Sequence, residues 1–215
     1  MKHLTVIMLA LLLICGVNLY AQGQFGIYGL LSLPSGDFAD DNMYDEKSGL
    51  AKTGFGGGAA YTFPLGTEGL GWETDVAVIF NGVDETALEE EEVSVSAGQW
   101  MNIPIMTGLR YTSDMSPTMQ FFALGQICLT FVNGPDIEVT DEFYDESYEY
   151  QIGSGNSFGF GVGAGLIFNS KFVISFRYLA LGSTDLEISI DGEEIEDAGY
   201  EPSISMMVVT AGINF

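Results

Sequence analysis

Four charged side chains stand apart from the rest in this sequence of 215 residues. Glu73 and Asp75 lie two residues apart within the apolar stretch 70–80, and Arg110 and Arg177 are embedded in apolar stretches beside Leu109 and Phe176. Paired carboxylates can divide the work of a general acid and a general base, so catalysis is one chemistry open to Glu73 and Asp75. The other is structural. Two carboxylates and two guanidiniums sum to zero charge, and such a set can be buried together where any single member would be costly. That network explains all four residues without a substrate, and it is the expected chemistry. The acidic run 89–92 lacks the spaced Asp or Asn ligands and the turn glycine of a calcium loop, so it reads as solvated, self-repelling surface. The glycine clusters at 56–58 and 159–165 lack the Lys-Ser/Thr ending and the following helix of a phosphate loop. No cofactor is expected, and Cys128 reads as a small buried residue.

Composition removes whole classes. Thirty Asp and Glu against six Lys and Arg give a net charge of -24, which excludes nucleic acid as a partner because phosphate binding needs a basic stripe. The chain is nonetheless 47% hydrophobic and 13% aromatic, too apolar for an acidic disordered polymer. Residues 1–21 form a separate unit: Lys2 and His3, an apolar run over 4–17, and Leu19-Tyr20-Ala21 read as a secretory signal peptide cleaved before Gln22. A lipoprotein signal ending at Cys15 is disfavoured, because Ile14 stands where that processing needs a small residue. The domain 22–215 then keeps 30 acidic and 5 basic side chains, no histidine, and Cys128 as its single cysteine. An internal disulfide, a histidine-ligated metal and a histidine-assisted nucleophile are excluded, and no enzymatic activity is expected.

The elements that must position the four charges are strands. Beyond residue 21 no apolar run reaches the length of a membrane helix, and the periodicity is two. In 158–168, Phe158, Phe160, Val162, Ala164, Leu166 and Phe168 alternate with Gly159, Gly161, Gly163, Gly165 and Ile167, one bulky apolar face against one mainly of glycine. The same pattern predicts strands at 24–34, 53–63, 69–81, 98–112, 118–132, 156–168, 172–184 and 203–215. Their lengths meet or exceed the ~9–11 residues that cross a tilted bilayer. Short gaps at 64–68, 113–117 and 169–171 alternate with long ones at 35–52, 82–97, 133–155 and 185–202. These features describe an all-β fold, an eight-stranded antiparallel up-and-down transmembrane β-barrel with short turns on one rim and long loops on the other. The long loops hold 26 of the 30 acidic residues. Parity turns Glu73, Asp75, Arg110 and Arg177 away from the lipid face and into one lumen, near the short-turn rim.

The last strand carries a more specific mark. Met207, Val209, Ala211, Ile213 and Phe215 form one apolar face against Thr210, Gly212 and Asn214. Together with Asn102-Ile103-Pro104, Phe122-Ala123-Leu124-Gly125 and Ser175-Phe176-Arg177-Tyr178, this ending resembles the OmpX-like and PorT-like outer-membrane β-barrel domain family of Bacteroidetes type. The resemblance extends over the whole of 22–215. It implies residence in the outer membrane of a Gram-negative bacterium, contact with outer-membrane lipid and lipopolysaccharide, and recognition of the terminal Phe215 by the barrel assembly machinery.

One segment is expected to reach a partner. The lipid-facing parity of the seventh strand, Phe172, Ile174, Phe176, Tyr178 and Ala180, continues through Leu186, Ile188 and Ile190 to the hairpin signal Asp191-Gly192. An apolar row extending past the membrane needs a cover, either the aromatics Phe143, Tyr144, Tyr148 and Tyr150 of the neighbouring loop, lipid, or a surface protein that pairs with the strand edge. The expected function is therefore that of a non-enzymatic barrel whose acidic extracellular loops serve surface interaction or envelope integrity. The lumenal glycines suggest a narrow pore for small or apolar solutes as an alternative. A secreted soluble ligand-binding barrel of the lipocalin kind is a second alternative, and it requires a polar exterior.

Overall fold

The computed structural model describes residues 23–42, 45–88, 93–141, 146–195 and 200–215. The signal peptide, the cleavage point before Gln22, the acidic run 89–92, Phe143 and Tyr144 lie outside the described residues. Eight long strands form the body: β1 (Gln24–Pro34), β2 (Ala51–Pro64), β3 (Leu70–Val83), β4 (Gln99–Ser116), β5 (Met119–Asn133), β6 (Ser154–Phe168), β7 (Phe172–Ser183) and β8 (Ser203–Asn214). Each pairs antiparallel with its neighbours in sequence, and β1 closes on β8 from Gly26 opposite Asn214 to Pro34 opposite Met206. Closure leaves the barrel no free edge, which is how a sheet satisfies its backbone groups inside lipid.

Alternation sorts the side chains in the sense opposite to that of a soluble barrel. Phe25, Ile27 and Leu31 of β1, Phe158, Phe160 and Val162 of β6, and Phe172, Ile174 and Phe176 of β7 are exposed, while Leu30, Ser32, Ile79, Met106 and Leu179 are buried in the interior. A continuous apolar outside belongs in a bilayer and contradicts the soluble lipocalin-like alternative. The glycine face of β6 makes room for large lumenal side chains. A Cβ on Gly163 would come within 2.7 Å of Arg177 Cγ, and one on Gly165 within 2.6 Å of Phe122 Cζ.

The extension of β7 is corrected by the structure. Pairing of β7 with β8 shifts register between Ala180 and Gly182, and Gly182 adopts φ +88°, a conformation that side-chain-bearing residues rarely take. That bulge breaks the parity on which the apolar row depended. Leu186 turns inward, only 3% exposed, and forms an isolated bridge with Tyr200. Ile188–Ile190 is a separate strand, half-buried, paired with Ile152, Gln151 and Tyr150. The turn at Asp191-Gly192 joins it to Glu193–Glu194, with φ of +50° and +82° as a tight hairpin requires.

A second sheet stands at the long-loop end. Its five strands run in the order Glu193–Glu194, Ile188–Ile190, Glu146–Ile152, Asp136–Asp141 and Val93–Ala97. It follows from the wall made by β4, β5 and β6, which breaks at Gly98, Gly134 and Gly153. The backbone ladder crosses this line through Gly98 N–H to the Asp136 carbonyl (2.7 Å) and Gly134 N–H to the Gly153 carbonyl (3.0 Å). Register places Ala97, Ile137, Tyr150 and Ile190 on one face and Ser96, Glu138 and Glu149 on the other. The sheet is thus apolar on one side and acidic on the other.

Candidate functional site

The four charges expected in the lumen occupy one cluster near the short-turn rim. Glu73 and Asp75 project inward from β3 with no exposed surface. Arg110 of β4 donates through Nη1 to Glu73 Oε2 at 2.5 Å. Arg177 of β7 donates through Nη1 to Asp75 Oδ2 and lies with Nη2 3.4 Å from Glu73 Oε1. Hydroxyls complete the shell: Tyr28 donates to Asp75 Oδ1, and Thr62 donates to Glu73 Oε2 at 3.0 Å. Both guanidiniums also lie over aromatic rings, Arg110 at 3.9 Å from the centre of Phe122 and Arg177 at 5.6 Å from that of Tyr28. Two positive and two negative charges compensate one another, and the carboxylates present no atom to a substrate. Tyr28 and Thr62 were missed in the sequence, although each shares the inward parity of its strand.

Aromatic side chains form a buried plug at the other end of the lumen. Trp100 of β4 and Phe38, from a short 3-10 turn at Gly36–Ala39, are both fully buried and meet edge to face with ring centres 5.6 Å apart. Tyr200 lies 6.2 Å from Trp100 on another side. Hydrogen bonds pin the first long loop over this plug: Trp100 Nε1–H donates to the Gly49 carbonyl at 2.9 Å, and the Tyr200 hydroxyl donates to the Ser48 carbonyl at 2.7 Å. Burial pushes the Tyr200 hydroxyl above its ordinary pKa, which keeps it a neutral donor. Leu181, Leu186 and Ile204 belong to the same buried cluster. Leu186, expected on an open partner surface, is therefore part of the plug.

The second sheet ends on one side at Val93–Ala97. Val93–Ala97 pairs on one side with Asp136–Asp141, and no described strand pairs with its other side. Ala97 N–H points to that outer side, where Glu85 Oε1 accepts it at 2.8 Å. Because N–H directions alternate along a strand, Val95 N–H points outward with it. Ile188 and Ile190 lie inside the sheet. Phe215, at the far end of the molecule, is 72% exposed, with its ring 6.3 Å from that of Phe25 and its backbone N–H donating to the Phe25 carbonyl at 2.7 Å. Among the described residues, no three His, Cys, Asp or Glu side chains converge as metal ligands do.

Comparison with known proteins gives a consistent family and fold. The family model described as outer membrane protein beta-barrel domain matches residues 7–215. No curated protein sequence matches. Among solved structures, the chain is similar to a major outer membrane protein from Thermus thermophilus, with 13% identity, coverage of 90% of this chain and 99% of that one, and a TM-score of 0.52. It is also similar to OprG from Pseudomonas aeruginosa, with 15% identity, coverage of 91% and 97%, and a TM-score of 0.48. Neisserial surface protein A shares 11% identity over 89% of this chain and 95% of its own, with a TM-score of 0.45.

Proposed function

Because the chain belongs to the outer membrane protein β-barrel domain family and so resides in the outer membrane, we propose that it is a non-enzymatic, non-conducting barrel whose extracellular sheet pairs with a strand of another protein. The outer border of Val93–Ala97, which no described strand pairs with and where Glu85 accepts the Ala97 N–H, carries this reading. Long loops of such barrels face the exterior, so the sheet stands where a partner can reach it. A strand edge offers backbone donors and acceptors at fixed spacing, and its side-chain faces supply selectivity. Here the acidic face bearing Glu138 and Glu149 favours a partner strand with basic residues on the matching side. A pore fits less well, because the space left by lumenal glycines is taken up by Arg177, Phe122 and Tyr28.

Val95→Pro tests this reading selectively. It removes the outward N–H while leaving intact the backbone bonds that Ser94 and Ser96 make towards Thr140 and Glu138. With a photo-crosslinking side chain at Ser94 on intact cells, the otherwise unaltered protein should give a discrete crosslinked partner. Adding Val95→Pro should remove that product at equal surface levels. Identical products from both proteins contradict strand pairing.

The apolar outside meets outer-membrane lipid and lipopolysaccharide, and Phe215 presents a terminal aromatic ring to the barrel assembly machinery. Deleting Phe215 removes one exposed ring and few internal contacts. The truncated chain should therefore reach the membrane in reduced amount yet unfold at the same urea concentration once refolded in detergent. Equal membrane levels of the truncated and full-length chains contradict the recognition role.

A further inference from the structure

We propose that Glu85 sets the register of the strand that pairs with Val93–Ala97: its carboxylate fills the ladder position at Ala97, so an incoming strand pairs at Val93 and Val95 and stops there. This rests on the strand pairing proposed above and fixes where along the border that pairing ends.

The ladder between β3 and β4 shows why the stop falls at Ala97. Its last pair is Gly82 opposite Gln99. Gly98 N–H points the other way, to the Asp136 carbonyl at 2.7 Å, so along this stretch the even-numbered amides face Asp136–Asp141 and the odd-numbered ones face the line of β3. Ala97 is therefore the next position after Gln99 on the β3 side. β3 ends at Val83, and the chain then enters the 3-10 turn Glu85–Ala87. The acceptor that meets Ala97 N–H is Glu85 Oε1, at 2.8 Å, in place of a backbone carbonyl. A side chain thus lengthens the ladder by one step. A strand added beyond it stands end-on to the turn, in line with β3.

Both ends of the turn are anchored, which holds the carboxylate in place. At its start, Asp84 N–H donates to the Leu50 carbonyl at 2.7 Å, while Lys52 Nζ and the Thr86 hydroxyl reach Asp84 Oδ1 at 2.7 and 2.6 Å. At its end, Leu88 N–H donates to the Glu85 carbonyl at 3.0 Å, and the Leu88 side chain packs against the buried cluster beneath. A hydrogen bond to an ionised acceptor is stronger than one to a neutral carbonyl, so a partner backbone gains nothing by displacing Glu85 from Ala97. A charge placed at a sheet border also restrains indiscriminate pairing along it. Val93 and Val95 share the outward direction of Ala97 and lie farther from the turn, which makes them the positions left to a partner.

Two measurements test the proposal. In the barrel refolded into lipid nanodiscs, amide hydrogen exchange at Ala97 should speed up about 10-fold or more on Glu85→Ala, the loss expected for a hydrogen bond to a charged group. Glu85→Gln keeps an oxygen acceptor and should stay close to the unaltered rate. Unchanged exchange at Ala97 in Glu85→Ala overturns the proposal. The second measurement uses intact cells with the photo-crosslinking side chain at Ser94. Ala97→Pro removes an N–H that Glu85 already holds, so it should keep the crosslinked product that Val95→Pro abolishes. Loss of the product with Ala97→Pro as well, at equal surface levels, overturns the register stop while leaving strand pairing intact. Absence of any product at Ser94 in the otherwise unaltered protein contradicts strand pairing itself, and the register stop with it, even where exchange at Ala97 reports the Glu85 bond.

Discussion

Replacing Arg177 with Met should lower the unfolding free energy of the refolded barrel by about 3–5 kcal/mol, the usual loss when one partner of a buried ion pair is removed. Arg177 is the member that binds both carboxylates. Without it, Asp75 keeps the Tyr28 hydroxyl as its named donor, while Glu73 retains Arg110 and Thr62. Either replacement leaves one buried negative charge uncompensated, but Arg177→Met strands Asp75 without a cation whereas Arg110→Met leaves each carboxylate in contact with Arg177, so the loss should be larger for Arg177→Met. Met approximates the length of the lost side chain, which keeps the packing contribution small. Urea unfolding in detergent, followed by tryptophan fluorescence, measures both variants. An Arg177→Met midpoint equal to that of the unaltered protein contradicts a network that compensates charge.

Trp100→Ala should be comparably costly, about 3–5 kcal/mol, the range for truncating a large buried aromatic. Trp100 is fully buried, packs against Phe38 and Tyr200, and donates the hydrogen bond that holds Gly49 in place. Truncation removes all three at once and leaves a cavity at the barrel mouth. Phe172→Ala provides the control, because that ring is on the lipid side at 55% exposure and loses fewer protein contacts. Thermal unfolding of the two variants should separate clearly, with Trp100→Ala much the lower. Equal midpoints would mean that the aromatic plug does not hold the loops onto the barrel.

The sequence conveyed the barrel well because its strands alternate with period two between an apolar outside and an inward face of glycine and polar residues. The strand expected at 24–34 is Gln24–Pro34, and the strand expected at 156–168 is Ser154–Phe168. The same alternation put Glu73, Asp75, Arg110 and Arg177 in one lumen, where they meet. Tyr28 and Thr62 had the correct parity but no charge to draw attention to them. Leu186 was misplaced because a single bulge at Gly182 breaks the alternation, and a glycine within a strand does not announce whether it merely makes room or turns the chain. The second sheet was hidden for another reason. Its strands are short, come from three different loops, and pair across distances in sequence that local periodicity does not encode, as in Val95 opposite Val139 and Ile190 opposite Tyr150. The aromatic plug is likewise an assembly of Phe38, Trp100 and Tyr200 from separate segments.

Single-channel recording of the purified barrel in a planar bilayer tests the proposed closure of the lumen most directly. With the Phe38 and Trp100 plug at one end and the Arg110, Arg177, Glu73 and Asp75 cluster at the other, insertion of the unaltered protein should produce no discrete conductance steps. Reproducible stepwise openings from that protein would contradict the closure and turn the assignment towards a narrow pore.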